Sequence, residues 1–151
     1  MDKNTIIISL ISGLSGAIVS SIIYIVLYYI NNKNEKIREL NNELHNILEI
    51  SVRYPYLENK DFIKEWYNNN GSNNNDERYM RYEVYYNLVF NFLENTFSFY
   101  KYKEKEISNF INYKEWVRLH KEGWINEKDK YNNLDTYSEG TKKIIKDILG
   151  E

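Results

Sequence analysis

IIISLISGLSGAIVSSIIYIVLYYI, Ile6 to Ile30, runs for 25 consecutive positions without a charged side chain. As a helix at about 1.5 Å per residue it is about 38 Å long. A bilayer core of roughly 30 Å needs about 20 such positions. The stretch therefore reads as a transmembrane helix. A cleaved signal peptide would have an apolar region of about 7–15 residues closed by small side chains. Here the run is longer and ends in the bulky sequence YIVLYYI. A buried helix of a soluble core is the remaining alternative, because the serines lower the hydropathy of the middle.

The flanks suggest an orientation. Tyr24, Tyr28 and Tyr29 gather at one end, where rings with a polar tip favour the membrane–water boundary. Lys33, Lys36 and Arg38 follow, interleaved with Glu35 and Glu39. The other flank holds only Lys3, offset by Asp2, and the amino terminus. Basic excess on the inner side predicts that residues 31–151 are cytoplasmic.

Small side chains punctuate the apolar run. Ser9, Gly13, Ala17 and Ser21 are spaced by four, and Ser12, Gly16 and Ser20 repeat the spacing on the adjacent stripe. Such faces let two helix backbones approach closely in lipid, where packing and interhelical hydrogen bonds drive association. The functional reading is self-association or docking on another membrane helix. The plainer one is that Ser and Gly are simply tolerated there.

Composition narrows the rest. The 151-residue chain has a formal charge of −2, which does not suggest a general phosphate-backbone binder, so no nucleic-acid partner is expected. It has no cysteine, so disulfides, thiolate metal sites and a cysteine nucleophile are excluded. Residues 31–151 leave room for one small domain, with an apolar inventory that leans on Tyr, Phe and Trp. Large rings bury much area per residue.

Beyond the span the periodicity stays helical. Ile37, Leu40, Leu44 and Ile47, with Leu48, recur at three and four. The stripe packs inside the domain or extends a membrane dimer as a short coiled coil. Pro55 pushes Tyr54 out of the helical region, so this helix ends near SVRYPYL. DFIKEWY, Asp61 to Tyr67, reads as a short helix with Asp61 as cap or first-turn acid. It turns Phe62, Trp66 and Ile63 to the core. NNNGSNNND, Asn68 to Asp76, is a loop. The strongest helix starts at Asp76. Tyr79, Tyr82, Tyr86, Val89, Leu93, Phe97 and Tyr100 share its face, widened by Phe90 and Phe92, so it is central. Ile107, Phe110, Ile111, Trp116, Val117 and His120 trace one helix from about Lys105 to Lys121, with Gly123 as its stop. WINEKDKYNNLD, Trp124 to Asp135, reads as an irregular connection. Ser138 caps a last helix with Ile144, Ile145, Ile148 and Leu149 on one side.

Candidate chemistry is sparse. His45 and His120 lie on different helices, too few for a zinc or di-iron site. No metal or cofactor is expected, and His120 reads as a half-buried structural residue. No GxSxG or SxxK occurs, and SGLSG at Ser12–Gly16 lies in the span. ERYMRYEVYY, Glu77 to Tyr86, interleaves Arg with Tyr. Arg53, Arg78 and Arg81 with the Tyr82 hydroxyl form a candidate anion-binding pocket. Alternatively the Tyr face is core and the arginines face solvent or pair with Glu83.

Asn91, Phe92, Leu93 and Glu94, followed by Trp116, His120 and Trp124, resemble a pattern of uncharacterised bacterial single-pass membrane-anchored helical proteins. The resemblance covers residues 76–149 and the anchor. It implies a helical fold and a tether, and no activity.

These readings predict an all-α protein: an N-terminal transmembrane anchor, residues 1–30, then a small cytoplasmic bundle of four to five helices, residues 31–151. The expected role is non-enzymatic, a membrane-tethered interaction or effector module that self-associates and engages a protein partner. The alternatives are a small-ligand sensor or enzyme with an inter-helix Tyr/Arg pocket, and a membrane-disrupting effector of a defence or toxin system.

Overall fold

The structure of the chain, a computed structural model, describes residues 2–69, 75–125 and 133–150, with the side chains of residues 5–13 outside that description. The described residues are helical, with no strand among them. The chain divides into two compact units, Met1–Asn41 and Asn42–Glu151.

Helix α1, Lys3–Arg53, begins in the first unit and ends in the second. Among the described residues it is the one helix long and apolar enough to cross a membrane. Its stop is the expected one. Pro55 opens a 3-10 turn, Pro55–Glu58, after Tyr54 leaves helical geometry at φ −129° and ψ 72°. Leu40 and Ile47 are buried, whereas Leu48 is 45 % exposed.

In the second unit, α2 spans Lys60–Asn68. Its cap is Asn59, two residues earlier than the acid the sequence suggests. Asn59 Oδ1 accepts the Asp61 and Phe62 amides at 2.9 and 3.1 Å, leaving Asp61 as a first-turn acid. Phe62, Ile63 and Trp66 are buried, as their spacing predicts.

Helix α3, Glu77–Phe99, is capped by Asp76, whose carboxylate accepts the Arg78 amide at 2.8 Å. It buries Tyr79, Tyr82, Tyr85, Tyr86, Val89, Phe90, Phe92, Leu93 and Phe97. That face is wider than one amphipathic stripe, as befits a central helix. Edge-to-face ring pairs bind it to its neighbours: Phe62–Tyr82 at 6.0 Å, Trp66–Tyr82 at 5.0 Å and Trp66–Tyr86 at 5.6 Å between centroids. This is the geometry the ring quadrupole favours.

The segment read as one helix from Lys105 to Lys121 is three pieces: α4, Glu104–Phe110; α5, Tyr113–Leu119; and α6, Lys121–Trp124. Ile111 is extended, φ −152° and ψ 147°. The break has a packing reason. Ile107, Tyr113 and Val117 are the buried positions, and the six-residue step from 107 to 113 does not return to one face of a continuous helix. Gly123 is no stop either. It lies buried inside α6, where a Cβ would meet Phe90 Cζ at 3.0 Å and Tyr86 Cγ at 3.2 Å. A bare Cα there lets Trp124 stack flat on Phe90, centroids 3.4 Å apart and planes 17° apart.

Of the expected irregular connection, residues 126–132 lie outside the described residues. Asn133–Thr136 form a second 3-10 turn that packs on α6. Residues 70–74 of the asparagine-rich loop also lie outside them. Helix α7, Glu139–Leu149, is capped by Ser138 Oγ at 3.3 Å from the Thr141 amide, packs on α3 and α5, and buries Thr141, Ile144 and Ile145.

Candidate functional site

Three features deserve a functional account: the face of α1, the arginines of α3, and a cleft beside His120.

On α1, Leu14, Ile18, Val19, Ile22, Ile23, Ile25, Val26, Leu27 and Ile30 are each between 49 and 65 % exposed. Full burial of such a side chain is worth roughly 1.5–3 kcal/mol. Left in water, nine of them represent a burial energy comparable to the whole stability of a typical domain, about 5–15 kcal/mol. Of the small-residue stripes, Ser9, Ser12 and Gly13 lie among the side chains outside the description. Ala17, Ser20 and Ser21 are exposed, and a Cβ on Gly16 would meet nothing within 4 Å. The Ser21 hydroxyl donates to the Ala17 carbonyl at 2.8 Å, so it needs no second helix to be satisfied.

Each arginine of the expected pocket is engaged by a near neighbour in sequence. Arg53 donates to Glu49 at 2.9 Å on the exposed end of α1. Arg78 clasps its own cap, Asp76, at 2.6 Å. The bond to Arg78 holds the Asp76 carboxyl below its ordinary pKa. Arg81 pairs with Glu77 rather than Glu83, donates to the Tyr56 hydroxyl at 2.7 Å and sits 4.4 Å from the Tyr54 ring centroid. That last arrangement is a cation–π contact which pins the turn after α1 to the start of α3. Tyr82 is fully buried, and its described hydrogen bond goes to none of the three.

Tyr82 instead meets His120. Its hydroxyl lies 2.9 Å from His120 Nδ1, and both side chains are inaccessible to solvent. His120 thus sits deeper than the half-buried position its sequence context suggests. Its other nitrogen, Nε2, has no hydrogen-bond partner and stands 3.9 Å from Glu58 Oε1. Glu58 accepts the hydroxyl of Tyr85, the neighbouring buried ring. The 3-10 turn, α3 and the α5–α6 corner thereby supply one polar cluster inside an aromatic core. Burial pushes the Tyr82 hydroxyl well above its ordinary pKa. Burial, reinforced by Glu58, does the same to Tyr85. Both rings remain neutral through the physiological range.

Glu58 also lines a cleft of about 670 Å³ between the 3-10 turn with α2 and the α5–α6 corner. This is the size of a small-molecule site, about 300–1,000 Å³. Ile63, Trp116 and Leu119 give it apolar walls, and Lys60, Lys64, Arg118 and Lys121 stand among its lining. None of those cations was singled out in the sequence. The available signal was weak: Lys60 and Lys64 one turn apart, and Lys121 beside His120. Among the described residues no group of three His, Asp or Glu side chains is placed to hold a metal ion.

Of the motif residues Asn91 to Glu94, Trp116, His120 and Trp124, Leu93 and Trp124 are buried in the core, and Asn91 accepts the Tyr137 hydroxyl at 3.3 Å. No family model, curated protein or solved structure matches the chain.

Proposed function

We propose that the protein is a membrane-tethered interaction module without catalytic activity, held in lipid by the first part of α1 and presenting the helical domain on the cytoplasmic side. The observation that carries this reading is the run of apolar side chains from Leu14 to Ile30, exposed on α1, the one helix among the described residues long and apolar enough to cross a membrane. Lipid is the solvent that removes their cost. Lys33, Lys36 and Arg38 beside the span support the orientation. Satisfied side chains at Arg78, Arg81, Tyr82 and Tyr85 favour a structural over a chemical role for the polar groups of α3. The resemblance to bacterial membrane-anchored helical proteins points the same way.

Self-association through Ser9, Gly13, Ala17 and Ser21, with Ser12, Gly16 and Ser20 beside them, completes the proposal. A tethered dimer raises the local concentration of the domain for its protein partner.

The test is fractionation of the full chain. It should sediment with membranes, resist alkaline extraction and dissolve only in detergent. Recovery in the aqueous fraction, or a mature chain that begins beyond Tyr29, overturns the tether. A membrane two-hybrid assay of residues 1–32 tests association separately. The paired substitution Gly13→Leu and Gly16→Leu should abolish the signal, and an unchanged signal removes dimerisation from the proposal while leaving the tether intact.

A further inference from the structure

We infer that the cleft beside Glu58 binds a phosphorylated small molecule with an apolar or aromatic body. The inference is independent of the tether, since every residue it uses lies in the Asn42–Glu151 unit.

The charge of the cleft decides the class. Four cations and three carboxylates line it: Lys60, Lys64, Arg118 and Lys121 against Glu58, Glu115 and Glu122. Two of the carboxylates are already committed. Glu115 accepts from Arg118 at 3.0 Å, on the next turn of α5. Glu58 turns inward, accepting the Tyr85 hydroxyl with His120 Nε2 3.9 Å behind it. Lys60, Lys64 and Lys121 remain, each exposed and each without a carboxylate within 4.0 Å among the described ion pairs. Glu122 alone opposes them. Three ammonium groups around one apolar-walled opening are a site for a compact anion.

The charge count favours phosphate over carboxylate. Lysine binds as a mobile point charge and does not itself tell the two apart. Three lysines in one lining match a phosphate monoester, which carries about −1.5 to −2 at pH 7, better than the single charge of a carboxylate. Ile63, Leu119 and the half-buried Trp116 lie among the same lining residues. They offer an apolar wall to whatever the phosphate is attached to. Such walls with a few charged groups are the usual make-up of a ligand site.

A phosphate monoester on an apolar body has two sources, a soluble compound or a lipid headgroup. Full-length protein in phosphatidylcholine nanodiscs is titrated with phenyl phosphate, with Trp fluorescence as the readout because Trp116 lines the cleft. Saturable binding is expected. Lys64→Gln and Lys121→Gln should each weaken it about tenfold, the loss of one charge-assisted bond, with the thermal unfolding midpoint unchanged. Phenol, which lacks the phosphate, should not compete. The titration is repeated in nanodiscs doped with phosphatidic acid, a lipid phosphate monoester. Competition identifies a headgroup as the occupant, and undiminished phenyl phosphate binding identifies a soluble one. Either result supports the site. Absence of saturable binding, or binding indifferent to both lysine substitutions, overturns it.

Discussion

The ring of Tyr102 occupies the space that a side chain on Gly140 would need. A Cβ built on Gly140 would stand 2.6 Å from Tyr102 Cδ1 and Cζ, and closer still to Cε1. The Tyr102 hydroxyl lies 3.0 Å from Ser138 Oγ, the oxygen that caps α7. The α3–α4 corner and the start of α7 are therefore fastened ring on backbone. Gly140→Ala should destabilise the full chain by about 1–3 kcal/mol through overpacking, although alanine favours a helix by about 1 kcal/mol. Urea unfolding in detergent, followed by helicity, checks the sign. A stabilised variant would show that Tyr102 does not hold its place.

That corner carries backbone strain. Lys101 and Tyr102 adopt φ 53° and 58°, in the left-handed region. The Tyr102 amide reaches back to the Phe97 carbonyl at 2.8 Å, which closes α3 as a glycine-ended helix would be closed. A non-glycine residue pays roughly 1–2 kcal/mol for that conformation. Lys101 is exposed, so Lys101→Gly should stabilise by up to about 1 kcal/mol after the added freedom of the unfolded chain is subtracted. Tyr102→Gly relieves similar strain and loses the clasp on α7, so it should destabilise. Opposite signs at adjacent positions are the measurement that matters.

Much of this fold is legible in the sequence wherever local chemistry decides. Pro55 ends α1, Asp76 and Ser138 cap their helices, and the three-and-four rhythm of Tyr79 to Phe97 marks a central helix. It is illegible wherever a distant contact overrules the local pattern. The break at Ile111 exists because Tyr113 must reach the core. Gly123 sits inside a helix because Trp124 must lie flat on Phe90. Two left-handed residues close α3 without glycine because Tyr102 has α7 to rest on. The site follows the same division. Arg78 and Arg81 stand out in sequence beside aromatics, yet each pairs within its own helix end. The cleft is assembled from Lys60 and Lys64 on one side and Lys121, more than fifty residues further along the chain, on the other, and no short-range pattern announces it.

The Tyr82–His120 bond should couple the two residues energetically. Tyr82→Phe leaves His120 Nδ1 without its hydrogen bond in a site closed to water. A buried polar atom so stranded costs about 1–3 kcal/mol. Replacing both ends, Tyr82→Phe with His120→Leu, removes the stranded group. The double variant should lose less than the sum of the singles by about 0.5–3 kcal/mol. Strict additivity in urea unfolding would show that the 2.9 Å contact contributes nothing.

Alkali should unfold the domain through its buried tyrosines. Burial raises Tyr82 and Tyr85 well above the ordinary value of 10.0. Burial, with Glu94 nearby, raises Tyr137 to about 12. Below pH 10 the folded and unfolded chains both keep these protons, so the stabilisation is complete. Above it the unfolded chain releases protons that the folded chain retains. Stability then falls by up to ~1.4 kcal/mol per pH unit for each fully buried ring until the folded value is reached. Tyrosinate absorbance from Tyr82 and Tyr85 should appear only together with the loss of helicity. Ionisation of all 15 tyrosines with helicity intact would show that the aromatic core is open to solvent.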